Sequence, residues 1–195
     1  RLMSRGLGDV YKRQEGINDF VDFGDSFFSC YKLLNRLFFL MLLTLVRHAK
    51  SSWSDLSLND FDRPLNERGK RDAPKMAQWF FENIHETPVL FTSPANRALA
   101  TAKYFEKEFS PIELNIVDNL YHANLQDYES LILENNHLKH IVIFGHNPTI
   151  SYVAEEMLKL KSIYLKTCSI CQIDLIDPDV LSGELNFIKS PKEVI

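Results

Sequence analysis

The sequence predicts an α/β protein, a three-layer α/β/α sandwich with a mostly parallel central sheet and an antiparallel edge. Apolar, strand-like runs alternate with helical patterns along most of the chain, which is typical of parallel strands joined by helices. Several of these runs stop at polar groups just before a helix, as expected at the carboxyl edge of an open sheet. The last two runs lie close enough together to form an antiparallel hairpin.

The overall composition favours one ordinary globular domain. The chain has 195 residues, 45% of them hydrophobic and 25% charged, which is enough for a sizeable core. Its net charge of −4 leaves no extended basic face for nucleic acid or an anionic membrane. We therefore expect neither as a partner, and any cationic site must be local.

The first 40 residues do not share the pattern of the rest, so the domain is predicted to span residues 41–195. Residues 1–40 are interpreted as a non-domain extension, artefactual or disordered, with Met41 as the true start. A signal peptide is the alternative, because Lys32 and Arg36 precede an apolar run. That run is too short to span a bilayer, and cleavage after it would cut into the first strand. We therefore expect a cytoplasmic protein, and we expect it to be a monomer.

The first strand pattern, over residues 42–49, ends in two side chains that a core would not accept. An apolar, partly β-branched run is typical of a buried parallel strand, and it stops here at Arg47 and His48. Both groups are predicted at the edge of the sheet where α/β proteins bind ligands. The alternative is a buried strand whose charged end faces water.

A charged helix follows, and Asn66 is predicted to cap it before Glu67. Pro74 is awkward in this helix, so the regular part either begins near Asp72 or is kinked there. Its core face is predicted to contain Met76, Trp79 and Phe80.

Arg97 lies near the start of a second helix, predicted from Ala95 to about Glu108 after a short strand over residues 88–92. An arginine at a helix N-terminus opposes the helix dipole. The position is explained if the helix N-terminus and the guanidinium both point at an anion. The alternative is a plain surface arginine.

The remaining elements are predicted as an edge strand over 114–117, a helix over 125–134, a buried strand over 140–144, a helix over 149–160, and hairpin strands over 169–175 and 184–188. His122 lies in the loop before the first of these helices. His146 and Asn147 directly follow the buried strand, so a histidine again stands between a strand end and a helix start.

Two of the three cysteines, Cys168 and Cys171, form a C-x-x-C pattern. Neither a redox site nor a zinc site is favoured, because no second pair of ligands completes the pattern. The stretch resembles a strand, in which the two side chains would face opposite sides of the sheet. We interpret both as small core residues in a reducing cytosol.

The side chains at the three strand ends favour phosphoryl transfer. Arg47 and Arg97 supply forked donors suited to phosphate oxygens, and helix N-termini add backbone N–H groups. A metal site would need carboxylates or more histidines, and the chain has no serine nucleophile elbow, Walker loop or C-x5-R motif. The pattern is explained by a histidine that attacks phosphorus while the cationic groups stabilise the charge.

Four motifs, in order, resemble the histidine phosphatase superfamily and, within it, the SixA-like phosphohistidine phosphatases: LVRHAKSSW (45–53), DRPLNERG (62–69), SPANRALATA (93–102) and GHNP (145–148). The resemblance covers the chain from Met41 onward. It implies a phosphoglycerate mutase-like fold, His48 as the nucleophile, and no metal or organic cofactor. It also implies that the phosphoryl group is bound by Arg47, Arg97 and His146. Three further residues of these motifs are predicted to bind substrate: Ser52, Arg63 and Asn147.

The chain departs from the family pattern at two positions. Ala49 replaces the glycine of the usual R-H-G, as is common in the SixA-like branch. His122 stands where many relatives carry the glutamate that acts as general acid. A missing carboxylate favours P–N substrates, whose leaving group is protonated on its ring, although a His122 imidazolium could still serve as acid. The alternative for His122 is a polar residue at the rim of the site.

The leading functional hypothesis is a phosphatase that works through a phosphohistidine intermediate and acts on phosphohistidine in proteins or on another small phosphorylated substrate. A phosphomonoesterase of broad small-molecule range is the runner-up. A phosphate-dependent binding module without turnover is a third hypothesis, disfavoured because a pure binder would not need the nucleophile. A mutase is disfavoured because a short chain leaves little room to enclose its substrate.

Overall fold

The computed structural model describes residues 41–177 and 181–194, so the expectations for residues 1–40 fall outside the described part of the chain. The strands are β1 (Met41–Arg47), β2 (Val89–Thr92), β3 (Leu114–Ile116), β4 (His140–Gly145), β5 (Ile170–Asp177) and β6 (Ser182–Lys189). The helices are α1 (Glu67–Asn83), α2 (Asn96–Glu108), α3 (Leu125–Glu134), α4 (Thr149–Leu158) and α5 (Pro191–Val194). None of the helices in these two ranges is long and apolar enough to cross a membrane.

The strands form one six-stranded sheet in the order β3-β2-β4-β1-β5-β6. The first four strands in this order pair in parallel, whereas β5 runs antiparallel to β1 and β6 antiparallel to β5. The predicted fold class, with its parallel centre, edge strand β3 and antiparallel hairpin, is therefore confirmed. Because β1, β4 and β2 are parallel neighbours, their carboxyl ends meet at one edge of the sheet.

Helices cover both faces of the sheet, and alternate residues of the central strands enter the two cores. On β4, Ile141 and Ile143 pack with α3 and α4, whereas Val142 and Phe144 pack with α1 and α2. All four side chains are fully buried. This two-residue period places apolar groups on both faces of β4, as expected for a strand buried on both sides.

Helix α1 excludes one of the two alternatives that Pro74 left open, the late helix start. The helix begins at Glu67, and the Asn66 side chain accepts a hydrogen bond from the Gly69 N–H. Pro74 lies inside this 17-residue helix, so the regular helix begins before Asp72. The cap and the buried apolar face stabilise the first turns despite the N–H that proline lacks.

Other boundaries differ from the predictions by a few residues. Helix α4 ends at Leu158, two residues early, because Lys159 has a left-handed backbone with φ of 52°. Strand β5 begins at Ile170, because Cys168 has a φ of 62° and lies outside the strand. The prediction that Cys168 is a strand residue was wrong, yet Cys168 and Cys171 are both buried, in different cores. The short helix α5 was not predicted.

Candidate active site

Side chains from three neighbouring strand ends meet at the carboxyl edge of the sheet. Arg47 ends β1 and His48 follows it, His146 follows β4, and Arg97 extends from the first turn of the helix after β2. The rings of His48 and His146 have centroids 5.0 Å apart. The Nε atom of Arg97 lies 3.3 Å from Nε2 of His48. The structure thus brings together the four residues to which the motifs point.

The hydrogen bonds of His48 define which ring nitrogen is available for chemistry. Its Nδ1 lies 2.7 Å from the Ala49 carbonyl oxygen, which can only accept, so Nδ1 carries the proton. Nε2 therefore keeps its lone pair, which accepts the Arg97 Nε–H at 3.3 Å. Burial, reinforced by the charges of His146 and Arg97, lowers the pKa of His48 to about 3. The ring is neutral at physiological pH, with its lone pair directed into the site.

Arg97 is buried and is tied to the loop that carries the histidine. Its backbone oxygen accepts the Thr101 hydroxyl at 2.7 Å, and the same hydroxyl oxygen accepts the Ala49 N–H at 3.0 Å. Helix α2 therefore holds the backbone at Ala49, the residue that follows His48. Arg97 opposes the helix dipole, but its guanidinium is part of a polar site with His48 and Asp60.

His146 is the second buried imidazole of the site. Its Nε2 lies 2.8 Å from Ser93 Oγ, whereas its buried Nδ1 has no hydrogen-bond partner among the described residues. Burial, together with the charge of Arg97, lowers the pKa of His146 to about 4. The preceding Gly145 is needed because a Cβ there would overlap the Tyr128 hydroxyl.

The Arg47 guanidinium points toward the segment after α4. Its Nη1 donates to the Leu165 carbonyl at 2.8 Å and to the Tyr164 hydroxyl at 3.3 Å. Its Nε is buried and has no partner among the described residues. Buried polar atoms normally have partners, so Arg47 Nε and His146 Nδ1 are candidates to bind a polar ligand or an ordered water.

Two of the three residues predicted to bind substrate are engaged mainly by the protein itself. Arg63 is buried, and its Nη2 and Nε donate to Ser51 Oγ at 2.6 Å and to the Ser52 carbonyl at 2.9 Å. Asn147 donates to the Leu165 carbonyl at 3.1 Å and accepts the Ser151 hydroxyl at 2.8 Å. Both residues hold the loops around the site in place, and their predicted contact with substrate stays a prediction.

The third of these residues, Ser52, bonds through its Oγ to the Ser54 hydroxyl at 2.8 Å. His122 is exposed, and its ring centroid lies 4.0 Å from that of Tyr121. With His146 it lines a cavity of about 200 Å³. His122 therefore lies at the rim of the site, and whether it is the acid stays a prediction.

Asp60 is a site residue that the sequence analysis missed. Its carboxylate accepts from Arg97 Nη2 at 2.8 Å, from the Tyr121 hydroxyl at 3.0 Å and from Arg63 Nη1 at 2.8 Å. Partial desolvation opposes ionisation, but the hydrogen bonds from Tyr121 and Arg63 and the charge of Arg97 lower the pKa of Asp60 to about 2. In the sequence, the signal for Asp60 was its position three residues before Arg63, and this signal is weak because the loop also contains Asp55 and Asp62.

Within residues 41–177 and 181–194, no group of three or more His, Cys, Asp or Glu side chains could hold a metal ion. Asp60, whose carboxylate is bonded into the site, is already paired with Arg63 and Arg97.

Comparisons with known proteins agree on one family. Residues 43–140, half of the chain, match the histidine phosphatase superfamily (branch 1). An uncharacterized chloroplastic protein of Arabidopsis thaliana is 33% identical over 141 residues, which cover 65% of this chain and 63% of that protein. The chain thus spans less than two thirds of this relative.

Two solved structures share the fold. A candidate phosphohistidine phosphatase SixA from Agrobacterium tumefaciens has a TM-score of 0.71 and 26% identity, covering 78% of this chain and 99% of its own. The protein histidine phosphatase SixA complexed with tungstate has a TM-score of 0.71 and 20% identity, covering 80% and 100%. The family match confirms the predicted family, and together with the Agrobacterium structure it supports the predicted enzyme class, a phosphatase. The chain belongs to the histidine phosphatase superfamily.

Proposed function

We propose that this chain hydrolyses phosphoryl groups through a covalent phosphohistidine at His48, and that its substrate is phosphohistidine in proteins. The observation that carries the proposal is the hydrogen bond from His48 Nδ1 to the Ala49 carbonyl, which leaves the Nε2 lone pair facing Arg97. A neutral, oriented imidazole next to a guanidinium is what nucleophilic attack on a phosphoryl group requires.

The first half-reaction transfers the phosphoryl group to the enzyme. The His48 Nε2 lone pair forms a bond to phosphorus while the bond from phosphorus to the leaving group breaks, and the leaving group keeps that electron pair. His48 becomes cationic, and its Nδ1–H bond to the Ala49 carbonyl stabilises this charge. The phosphoryl oxygens are bound by Arg47, Arg97 and the otherwise unpaired Nδ1 of His146.

The second half-reaction returns the enzyme to its starting state. A water molecule attacks phosphorus, the P–Nε2 bond breaks, and its electron pair returns to His48. Inorganic phosphate leaves with the oxygen of that water, and the proton lost by water is released to solvent or to phosphate. Ser93 can donate its hydroxyl proton to Nε2 of His146, which keeps a proton on Nδ1 as a donor throughout.

The site has few groups that can donate a proton to a leaving group, and this favours a substrate with a P–N bond. An alkoxide leaving group needs a proton from the enzyme, whereas phosphohistidine can leave as an imidazole that is already protonated. The hydrogen bonds and arginine charges around Asp60 lower its pKa to about 2, so this carboxyl is ionised and cannot donate. His122, the remaining candidate acid, lies at the exposed rim.

Exposed apolar groups near the site support a protein as the carrier of the phosphoryl group. The Trp53 ring stacks on Arg63 with 3.3 Å between guanidinium carbon and ring centroid, yet 66% of its surface is exposed. Leu56 in the same loop is 87% exposed, and Tyr164 beside Arg47 is 69% exposed. Exposed aromatic groups that contact the arginines of a site are suited to contact with a protein partner.

The small-molecule phosphomonoesterase stays as a second candidate because of the cavity of about 200 Å³ beside His146, which could hold a small leaving group. The predicted monomer, its cytoplasmic location and the absence of any cofactor stay part of the main proposal.

The test is a rapid-quench experiment on the full chain with a 32P-labelled phosphohistidine protein and with a 32P-labelled small phosphoester. Acid-labile, base-stable label should appear on the wild-type chain, with faster turnover of the phosphohistidine protein. His48→Ala should lose both label and turnover, whereas His137→Ala, an exposed histidine elsewhere, should keep both. Label that survives in His48→Ala would disprove the nucleophile, and preference for the small phosphoester would favour the second candidate.

A further inference from the structure

Asp60 has no role in the reaction above, although its carboxylate is bonded to the same guanidinium that faces the nucleophile. Arg97 Nε lies 3.3 Å from His48 Nε2, and Arg97 Nη2 donates to Asp60 Oδ2 at 2.8 Å. The Nε–H and one N–H of Nη2 are parallel and form the edge of a guanidinium that binds two oxygens of a carboxylate or phosphate. Asp60 Oδ2 therefore stands where a phosphoryl oxygen would lie when phosphorus is within reach of His48.

The other contacts of Asp60 would keep it close after a phosphoryl group arrives. Its Oδ1 accepts from Arg63 Nη1 at 2.8 Å, and Arg63 is itself fixed by Ser51, Ser52 and the Trp53 ring. A phosphoryl group that binds Arg97 Nη2 would replace the bond from Arg97 to the Asp60 carboxylate, but it would leave the bond from Arg63 to Asp60 in place. The displaced carboxylate would thus stay beside the phosphoryl group, where it adds a negative charge to the surroundings of the leaving group.

We propose that Asp60 is a specificity-determining residue, an internal anion that competes with the phosphoryl group for Arg97 and favours cationic over anionic leaving groups. Like charges that lie a few ångströms apart repel, and opposite charges at the same distance attract. A substrate whose leaving group is a protonated imidazole or ammonium would thus be bound and brought to the transition state more readily beside Asp60 than one whose leaving group carries its own carboxylate. When the P–N bond breaks, the nitrogen keeps the electron pair, so the group departs as neutral imidazole or ammonia. The proposal rests on the proposed function, because it concerns the same phosphoryl site.

The charge of Asp60 can be removed with little change of shape in Asp60→Asn. Asp62→Asn is the matched control, because Asp62 is exposed in the same loop and its carboxylate bonds to the Asn59 side chain rather than to an arginine. Asp60→Ser is a second variant in case the asparagine adopts new contacts. Circular dichroism of all three variants establishes that they are folded.

The first measurement is calorimetric binding of tungstate, a dianionic phosphate analogue, to the full chain. Without the competing carboxylate, Asp60→Asn and Asp60→Ser should bind tungstate about tenfold more tightly or better, a change of about 1.4 kcal/mol. Asp62→Asn should stay within about twofold. Unchanged or weaker binding in the Asp60 variants would overturn the proposal, because Asp60 would then position Arg97 rather than compete for it.

The second measurement compares kcat/KM for phosphoramidate, whose nitrogen is cationic in the substrate when protonated and departs as ammonia, with kcat/KM for phosphoglycolate, whose leaving group carries a carboxylate. The ratio should shift toward phosphoglycolate by about tenfold in both Asp60 variants and not in Asp62→Asn. An unchanged ratio would overturn the selection of leaving groups. If no protein turns over either substrate, the proposed function fails, and tungstate binding still decides the competition for Arg97.

Discussion

The Nδ1 atom of His48 lies 2.7 Å from the carbonyl oxygen of Ala49, the next residue in the chain. This short local contact fixes the ring tautomer, and it uses only the backbone of Ala49. The Ala49 side chain is fully buried, and its N–H is bonded to Thr101. Alanine therefore satisfies the requirements of the position that is glycine in the usual family pattern.

The environment of His48 predicts a flat pH profile on the acid side. Burial, with the charges of His146 and Arg97, lowers the pKa of His48 to about 3, so the nucleophile stays neutral well below pH 7. The rate of phosphoenzyme formation, corrected for substrate ionisation, should change little between pH 7 and pH 5. A decrease with a midpoint near 6.5 in single-turnover experiments on folded enzyme would contradict this environment for His48.

Thr101 is predicted to support both stability and catalysis. Thr101→Val keeps the shape but leaves the buried Ala49 N–H without its acceptor, which should cost about 1–3 kcal/mol of unfolding free energy. The loop that carries His48 should loosen, so kcat should also fall. Thr101→Ser loses a methyl group, worth about 1 kcal/mol, but keeps the hydroxyl and should keep kcat. Urea denaturation and steady-state kinetics provide the check, and an equal loss of kcat in both variants would argue against the role of the hydroxyl.

His140, remote from the proposed nucleophile, should make stability depend on pH. Burial lowers its pKa from 6.5 to about 4, and its ring nitrogens bond to Thr44 and to the Glu86 carbonyl. Between these two pH values the unfolded chain binds a proton that the folded chain does not, so stability should decrease as pH falls from 6.5 to 4. The contribution is at most about 1.4 kcal/mol per pH unit.

The measurement is guanidinium denaturation at several pH values between 7 and 4. His140→Gln should show a shallower decrease of the unfolding free energy than the wild type. His85→Gln, a change at an exposed histidine, should retain the wild-type dependence. Identical slopes in all three proteins would mean that His140 is not held neutral in the fold.

His122 is predicted to matter for O-phosphoesters more than for phosphohistidine. If its imidazolium protonates a leaving alkoxide, His122→Ala should reduce hydrolysis of an O-phosphoester by about 10²–10⁴ and leave phosphohistidine hydrolysis within a few-fold. His122→Glu should retain or raise the O-phosphoester activity. The decisive quantity is the ratio of kcat/KM for the two substrates, and an unchanged ratio in His122→Ala would remove His122 from the mechanism.

A chain that starts at Met41 is predicted to keep the fold and the activity. The pattern of alternating strands and helices begins there, and Met41 is already a buried residue of β1. The melting temperature and kcat/KM of this shorter chain should match those of the full chain. A loss of many degrees in the melting temperature would show that residues 1–40 contribute to the stability of the domain.

Much of the fold follows from local sequence patterns. The apolar run before Arg47, the Asn66 cap and the Gly145-His146 strand end each specify an element within a few neighbouring residues, and the structure has those elements. Apart from the missed short helix α5, the errors lie at element ends, because a left-handed residue such as Lys159 or Cys168 stops a helix or delays a strand without a distinct sequence signal.

The sequence by itself determined the order of strands and helices along the chain. From that order it followed that Arg47, His48, Arg97 and His146 would share one edge of the sheet. Only the tertiary structure decided how these groups are bonded. Arg97 contacts Asp60 across 37 residues, and the hydroxyl of Thr101 reaches Ala49 across 52. Such partners depend on how a loop folds back over the sheet, because hydrogen bonds between distant residues follow from packing and not from local spacing.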